Sequence, residues 1–152
     1  MGKPLEGLRV TDMSHVIAGP LASRYLARLG AEVIEIETPA GGDVMRTSKA
    51  VPADGDAGDA PVGFAALNAR KRSLAVDIRT RKGADAVRAL AGSADVFIEN
   101  LRPGVVAKYG LGYAAICAIR PDIVYCSISG YGQEGACPVT APTTMWCRPS
   151  PA

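Results

Sequence analysis

Residues 8–37, LRVTDMSHVIAGPLASRYLARLGAEVIEIE, decide the architecture, because they read as one complete strand, helix, strand unit. Leu8 and Val10 lie in a short apolar run that gives way to a loop, Ser14 to Pro20, which suits a strand better than a helix. Ala18, Gly19 and Pro20 then open a helix. Ala22, Tyr25, Leu26 and Leu29 recur at helical spacing and form its expected apolar face, with Arg24 and Arg28 opposite and Gly30 as the stop. The second strand, residues 31–37, is rich in β-branched residues that fit a pleated surface. Two strands joined by a crossover helix lie parallel, and parallel sheets are normally covered on both faces, so further helices are expected.

Outward from this unit the same alternation continues. SLAVDI (73–78), DVFIEN (95–100) and DIVYCSISG (122–130) read as further strands, so the five are expected near 8–13, 32–37, 73–77, 95–99 and 123–129. Between them, Phe64 to Leu67 supplies a helical turn. RTRKGADAVRALAGS supplies a helix with Ala84, Val87, Leu90 and Ala91 on one face. VVAKYG and GYAAICAIR supply two shorter helical pieces, the latter stopped by Pro121. The fold class is α/β: an open, mostly parallel, Rossmann-like sheet flanked by helices. Residues 38–63 show no periodicity and are long for a loop in a compact domain, which leaves a functional lid or a disordered segment.

The chain has 152 residues, enough for one domain that buries roughly 68–70% of its unfolded surface. Its 17 basic and 15 acidic residues are too balanced for general binding of nucleic acid or an anionic membrane. No apolar run reaches the roughly 18 residues of a membrane span, and MGKPLEG lacks the apolar core of a signal peptide, so a cytoplasmic protein is expected. Cys117, Cys126, Cys137 and Cys147 form no C-x-x-C pair, which argues for buried thiols over a metal site or redox motif.

Ligands of open α/β sheets bind beyond the carboxyl ends of the strands. Those ends carry His15, Glu37, Asn100 with Arg102, and Ser127 to Tyr131. The loop SHVIAGP lacks G-x-G-x-x-G, so position alone does not assign Glu37 to a ribose. NARKRS (68–73) places three cations before a strand, either as a solvated basic turn or as partners for a nucleotide's phosphates. His15 has no evident nucleophile and carboxylate companions, which favours a loop or core imidazole over a catalytic base.

Taken together, PLEGLRVTDMSHVIAGP, LARLGAEVIEIETPAGGDVMR, LNARKRSLAVDI, ADVFIENLRPGV, YGLGY and IRPDIVYCSISGYGQEG resemble the family III CoA-transferases of the CaiB/BaiF type. The matching segments span Pro4 to Gly135, in the family's order and spacing. The resemblance implies acyl-CoA as substrate, a carboxylic acid as acceptor, a homodimer and no metal. α-Methylacyl-CoA racemases share this fold and many of these motifs. Carried over residue by residue, the coenzyme A contacts fall on Val16, Ala18, Leu67, Lys71, Arg72, Asn100, Leu101 and Lys108, with the cations meeting phosphates. Thr38 stands where relatives commonly place an arginine, which removes one expected phosphate contact. Asp43 and Arg46 match a GDxxR turn, open to an internal ion pair or a ligand role.

In the family an aspartate, carried by a Y-D pair shortly after the G-Y-G-Q segment, attacks the thioester. The products are an acyl-aspartyl anhydride and CoA thiolate. Here ACPVTAPTTMWCRPSPA (136–152) contains neither Asp nor Glu. Its composition breaks from the patterned sequence before it, so the family-like part is expected to be 1–135, incomplete relative to the family, with 136–152 an irregular tail. The genetic code suggests why. Met145 and Trp146 have single codons, and reading from the third base of each forces Val. With suitable synonymous codons from Ala141 onward, the shifted frame reads A-Y-D-H-V-V-Q-A-L-S-G, which resembles the missing Y-D segment. A frameshift between Gly135 and Ala141 is the expected origin of the tail. Three functions follow: the N-terminal portion of a CoA-transferase without its nucleophile, a noncatalytic CoA-binding or regulatory partner of an intact relative, or an unrelated nucleotide-binding domain. The Tyr before the shifted Asp favours a transferase over a racemase-like fragment.

Overall fold

The structure, a computed structural model, describes residues 2–47 and 62–134. Five strands, β1 (Arg9–Met13), β2 (Glu32–Glu37), β3 (Arg72–Ala75), β4 (Val96–Glu99) and β5 (Val124–Ser127), form one sheet in the order β3-β2-β1-β4-β5. Every neighbouring pair is parallel, as the strand and helix alternation requires. Register places Val10 beside Val33 and Val96, and Asp12 beside Glu35 and Ile98, so these side chains share one face.

That face is covered by α1 (Ala18–Arg28), whose Ala27 joins Val10, Ala31, Val33 and Ile98 in one apolar cluster. The opposite face carries Met13, Ile36 and Phe97. It packs against Val87 and Ala91 of α3 (Arg81–Gly92), Val106 of α4 (Val105–Lys108) and Ile116 of α5 (Tyr113–Ile119). Thr80 caps α3 by accepting from the Gly83 N–H at 3.1 Å. The remaining helix, α2 (Val62–Asn68), packs beside α1 and a single 3-10 turn, Val44–Arg46.

The expected apolar face of α1 is corrected by the structure. Gly19, Pro20, Ser23 and Ala27 are buried, whereas Ala22, Tyr25 and Leu29 face outward, Tyr25 with 56% exposure. Close approach of the helix to the sheet selects small side chains, and Ser23 adds a hydroxyl that donates to Asp12. The Tyr25 and Leu29 periodicity belongs to the outer surface. No helix among the described residues is long and apolar enough to cross a membrane. The boundary at residue 135 and the tail after it lie outside the described residues, as do residues 48–61 of the long loop.

Candidate functional site

The strand order reverses between β1 and β4, and the carboxyl ends of those two strands carry the loop 14–17 and Asn100. This is the switch point at which open α/β sheets bind ligands. Asn100 grips the backbone of His15 twice: its Oδ1 accepts from the His15 N–H at 2.7 Å, and its Nδ2 donates to the His15 carbonyl at 2.7 Å. The next residue, Val16, has φ +70°, a left-handed conformation that costs a β-branched residue on the order of 1–3 kcal/mol. Its N–H donates to Asp43 Oδ2 at 2.9 Å. Gly19 closes the site from the helix side. A Cβ there would lie 2.2 Å from Ser14 Cβ, so any larger residue would push α1 off the loop.

Beneath the loop, between the sheet and α1, lies a buried polar cluster. Asp12, Glu35, Glu37 and Asp43 are all essentially inaccessible. Asp12 receives Lys71 Nζ at 2.9 Å, the Ser14 N–H at 3.0 Å and the hydroxyls of Ser14 and Ser23. Lys71 also donates to Asn68 Oδ1 at 2.6 Å. Glu37 receives Arg46 Nε and Nη2, both at 2.6 Å, the Ser73 hydroxyl at 2.5 Å and the Asp43 N–H at 3.2 Å. The Arg46 guanidinium hydrogen bonds, with the Ser73 hydroxyl and Asp43 N–H assisting, hold the Glu37 carboxyl down at about 2 against the cost of burial. Glu35 has no such partner. Its Oε1 is buried without a hydrogen bond, and burial pushes its carboxyl up to about 7, with Lys71 opposing and Glu37, Asp12 and Asp43 reinforcing the shift.

Glu35 thus favours folding in its neutral form. Stability from this group is fully present below its unfolded pKa of about 4.5 and is lost as pH rises through about 7. Glu35→Gln should leave stability nearly unchanged at pH ~4 and raise it by about 2–3 kcal/mol at pH ~8, measured by urea unfolding at both values. An equal effect at the two pH values would mean that Glu35 titrates like an exposed carboxyl.

On the opposite face Glu99 is also buried, and burial raises its carboxyl, partly offset by the Leu101 N–H, which donates to Oε2 at 3.0 Å. Ser127 donates to its other oxygen. Among the described residues no group of His, Cys, Asp and Glu side chains is placed to hold a metal ion.

A family model, CoA-transferase family III, matches residues 5–142, which is most of the chain and runs past residue 135. The chain belongs to this family. Succinyl-CoA:glutarate CoA-transferase from Homo sapiens is 44% identical over 133 residues, which cover 88% of this chain and 30% of that protein. Formyl-CoA:oxalate CoA-transferase from Streptomyces avermitilis is 41% identical, with 88% and 31% covered. A crystal structure of a CaiB/BaiF family protein from Brucella suis superposes with a TM-score of 0.86 at 39% identity, covering 95% of this chain and 38% of that one. The chain therefore spans about a third of the length of these family III proteins.

Within this family III chain the residues singled out from sequence fall into separate places. Val16, Ala18, Asn100 and Leu101 converge at the switch point, on the β1 to α1 loop and the end of β4. Leu67 is half-buried on α2, and Lys108 is exposed at the end of α4. Lys71, with a side chain 1% exposed, is turned inward onto Asp12. Arg72 stands beside Ile34 near the amino end of the sheet and donates to Glu32 Oε1 at 2.7 Å, while Arg9 takes the other Glu32 oxygen at 3.0 Å. The structure corrects the expected ion pair within the GDxxR turn: among the described residues Arg46 pairs with Glu37, which lies outside the turn, and not with Asp43. Asp43 instead binds Val16, a role that no spacing in the sequence announces.

Proposed function

We propose that the switch-point loop, Val16 to Ala18 with Asn100 and Leu101, is the acyl-CoA contact surface of a family III CoA-transferase module, and that the 152-residue chain does not itself transfer CoA. The observation that carries the first part is the left-handed Val16 backbone beside the doubly bonded His15, at the one place where strand order reverses. Strained backbone fixed from two sides is characteristic of binding sites. Leu67 and the exposed Lys108 are further proposed contacts, the latter as a phosphate partner. Lys71 serves this surface from below, donating to Asp12 under the loop.

The second part rests on chemistry. Transfer through an anhydride needs a carboxylate nucleophile, and residues 135–152 contain no Asp or Glu. Glu99 does not substitute, because both its oxygens are engaged and it lies inside the fold. Ser, Thr and Cys of residues 136–152 would give an ester or thioester, not the activated anhydride that an acceptor acid exchanges with. The acceptor acid and the homodimer are carried from the family, whose members are about three times as long as this chain.

Titration of the labelled protein with CoA, followed by amide resonances, tests the site. The expected result is weak, rapidly exchanging binding that moves His15 to Ala18, Asn100 and Leu101, with NAD moving none of them. Sub-micromolar binding by the monomer, or equal shifts with NAD, would contradict this reading.

A further inference from the structure

The two side chains that hold the switch-point loop are not equivalent. Asn100 extends from the end of β4 and fixes where His15 lies. Asp43 comes from the segment after β2 and fixes the conformation of Val16, since its Oδ2 accepts the one N–H that a left-handed residue at this position directs toward it. Its other oxygen, Oδ1, accepts the Met45 N–H at 2.8 Å and caps the 3-10 turn.

Asp43 is itself held in place. Its N–H donates to Glu37 Oε2, and Glu37 is fixed by the two-pronged Arg46 contact and by Ser73. The Arg46 guanidinium in turn lies 3.7 Å from the centre of the Phe64 ring on α2. An unbroken line of contacts therefore runs from α2 and β3, through Arg46 and Glu37, to the backbone of Val16. Arg46 already spends two of its N–H groups on Glu37, which argues against its use as a direct anion ligand.

We infer that Asp43 is a positioning residue for acyl-CoA: it latches Val16 in the left-handed conformation that the loop presents to the ligand, and the Glu37–Arg46 pair sets the latch. This rests on the proposed site and adds to it a residue that does not touch the ligand.

Amide hydrogen exchange and CoA titration of the full chain test the inference together. Asp43→Ala should accelerate exchange of the Val16 N–H by about 100-fold while the β1 amides of Thr11 and Met13 keep their protection. It should also weaken CoA binding by about tenfold, read from the shifts of Ala18 and Leu101. Asp43→Asn, whose single amide oxygen can still accept from Val16 but leaves the Met45 N–H without an acceptor, should recover part of both effects. Should Asp43→Ala fail to fold, Arg46→Met removes the support of Glu37 at a partly exposed position and should shift both readouts in the same direction by a smaller factor. Unchanged Val16 exchange, or faster exchange with unchanged CoA affinity, would overturn the positioning role while leaving the site intact. An absence of CoA shifts in the unsubstituted protein would overturn the site and this inference with it.

Discussion

Lys71→Met should destabilise the protein by about 3 kcal/mol, a larger loss than any single exposed cation would give. Lys71 and Asp12 are 1% and 0% exposed, and their contact at 2.9 Å is the only cationic bond that Asp12 receives among the described residues. Removing the ammonium leaves a carboxylate buried beside Glu35, Glu37 and Asp43, in surroundings too dry to screen it. The Ser14 and Ser23 donors remain and keep the loss near the lower end of the range for broken buried pairs. Asp12→Asn in the Lys71→Met background should recover part of the stability, because the orphaned charge is then absent. Urea unfolding of the two single variants and the double variant provides the check. A Lys71→Met protein as stable as the parent, but with CoA affinity sharply reduced, would instead identify Lys71 as a phosphate ligand.

This prediction comes from a place where sequence and structure part company. In NARKRS three consecutive cations look like one basic patch. Entry into β3 separates them: Lys71 turns in, its long stem reaching Asp12, while Arg72 remains 74% exposed and pairs with Glu32. Nothing in a one-dimensional pattern distinguishes a lysine that meets solvent from one that neutralises a carboxylate on a strand 59 positions earlier. The outer face of α1 escaped for a related reason. Periodicity marks apolar positions, but the sheet accepts Gly19, Ser23 and Ala27 because it needs close approach and a donor for Asp12. The Val16 latch was hidden as well, since neither Val nor Asp announces a positive φ. By contrast the sheet itself was legible. β-Branched runs separated by helical repeats permit few arrangements, and the observed strands begin and end within two residues of those expected. The place of Asn100 at a strand end was legible through the ENLRPG motif, although its two hydrogen bonds to His15 were not.

The largest effect on activity is expected from the coding sequence. Restoring the shifted frame between Gly135 and Ala141, with the downstream sequence it opens, should produce acyl exchange where the 152-residue chain is expected to show none. Replacing the aspartate of the recovered Y-D pair with alanine should abolish that gain by about 10⁴-fold or more, the scale on which loss of a covalent nucleophile is felt. Position matters as much as identity. A nucleophile must be held to within about half an ångström of productive geometry, which calls for packed elements around it as well as the restored carboxylate. Reading the nucleotides from Gly135 to Ala152 checks the premise: codons compatible with A-Y-D-H-V-V-Q-A-L-S-G in the third-base frame support it, and incompatible codons remove it.

Thioester exchange by the unmodified chain bears most directly on the central claim, that a family III CoA surface is present here without the chemistry that uses it. Purified protein would be incubated with succinyl-CoA or formyl-CoA and isotopically labelled glutarate or oxalate, and labelled thioester separated over time. The expected result is no transfer above the enzyme-free background, in the same preparation in which CoA moves the amides of Val16, Ala18 and Asn100. Saturable CoA transfer that scales with the amount of pure 152-residue chain would contradict it.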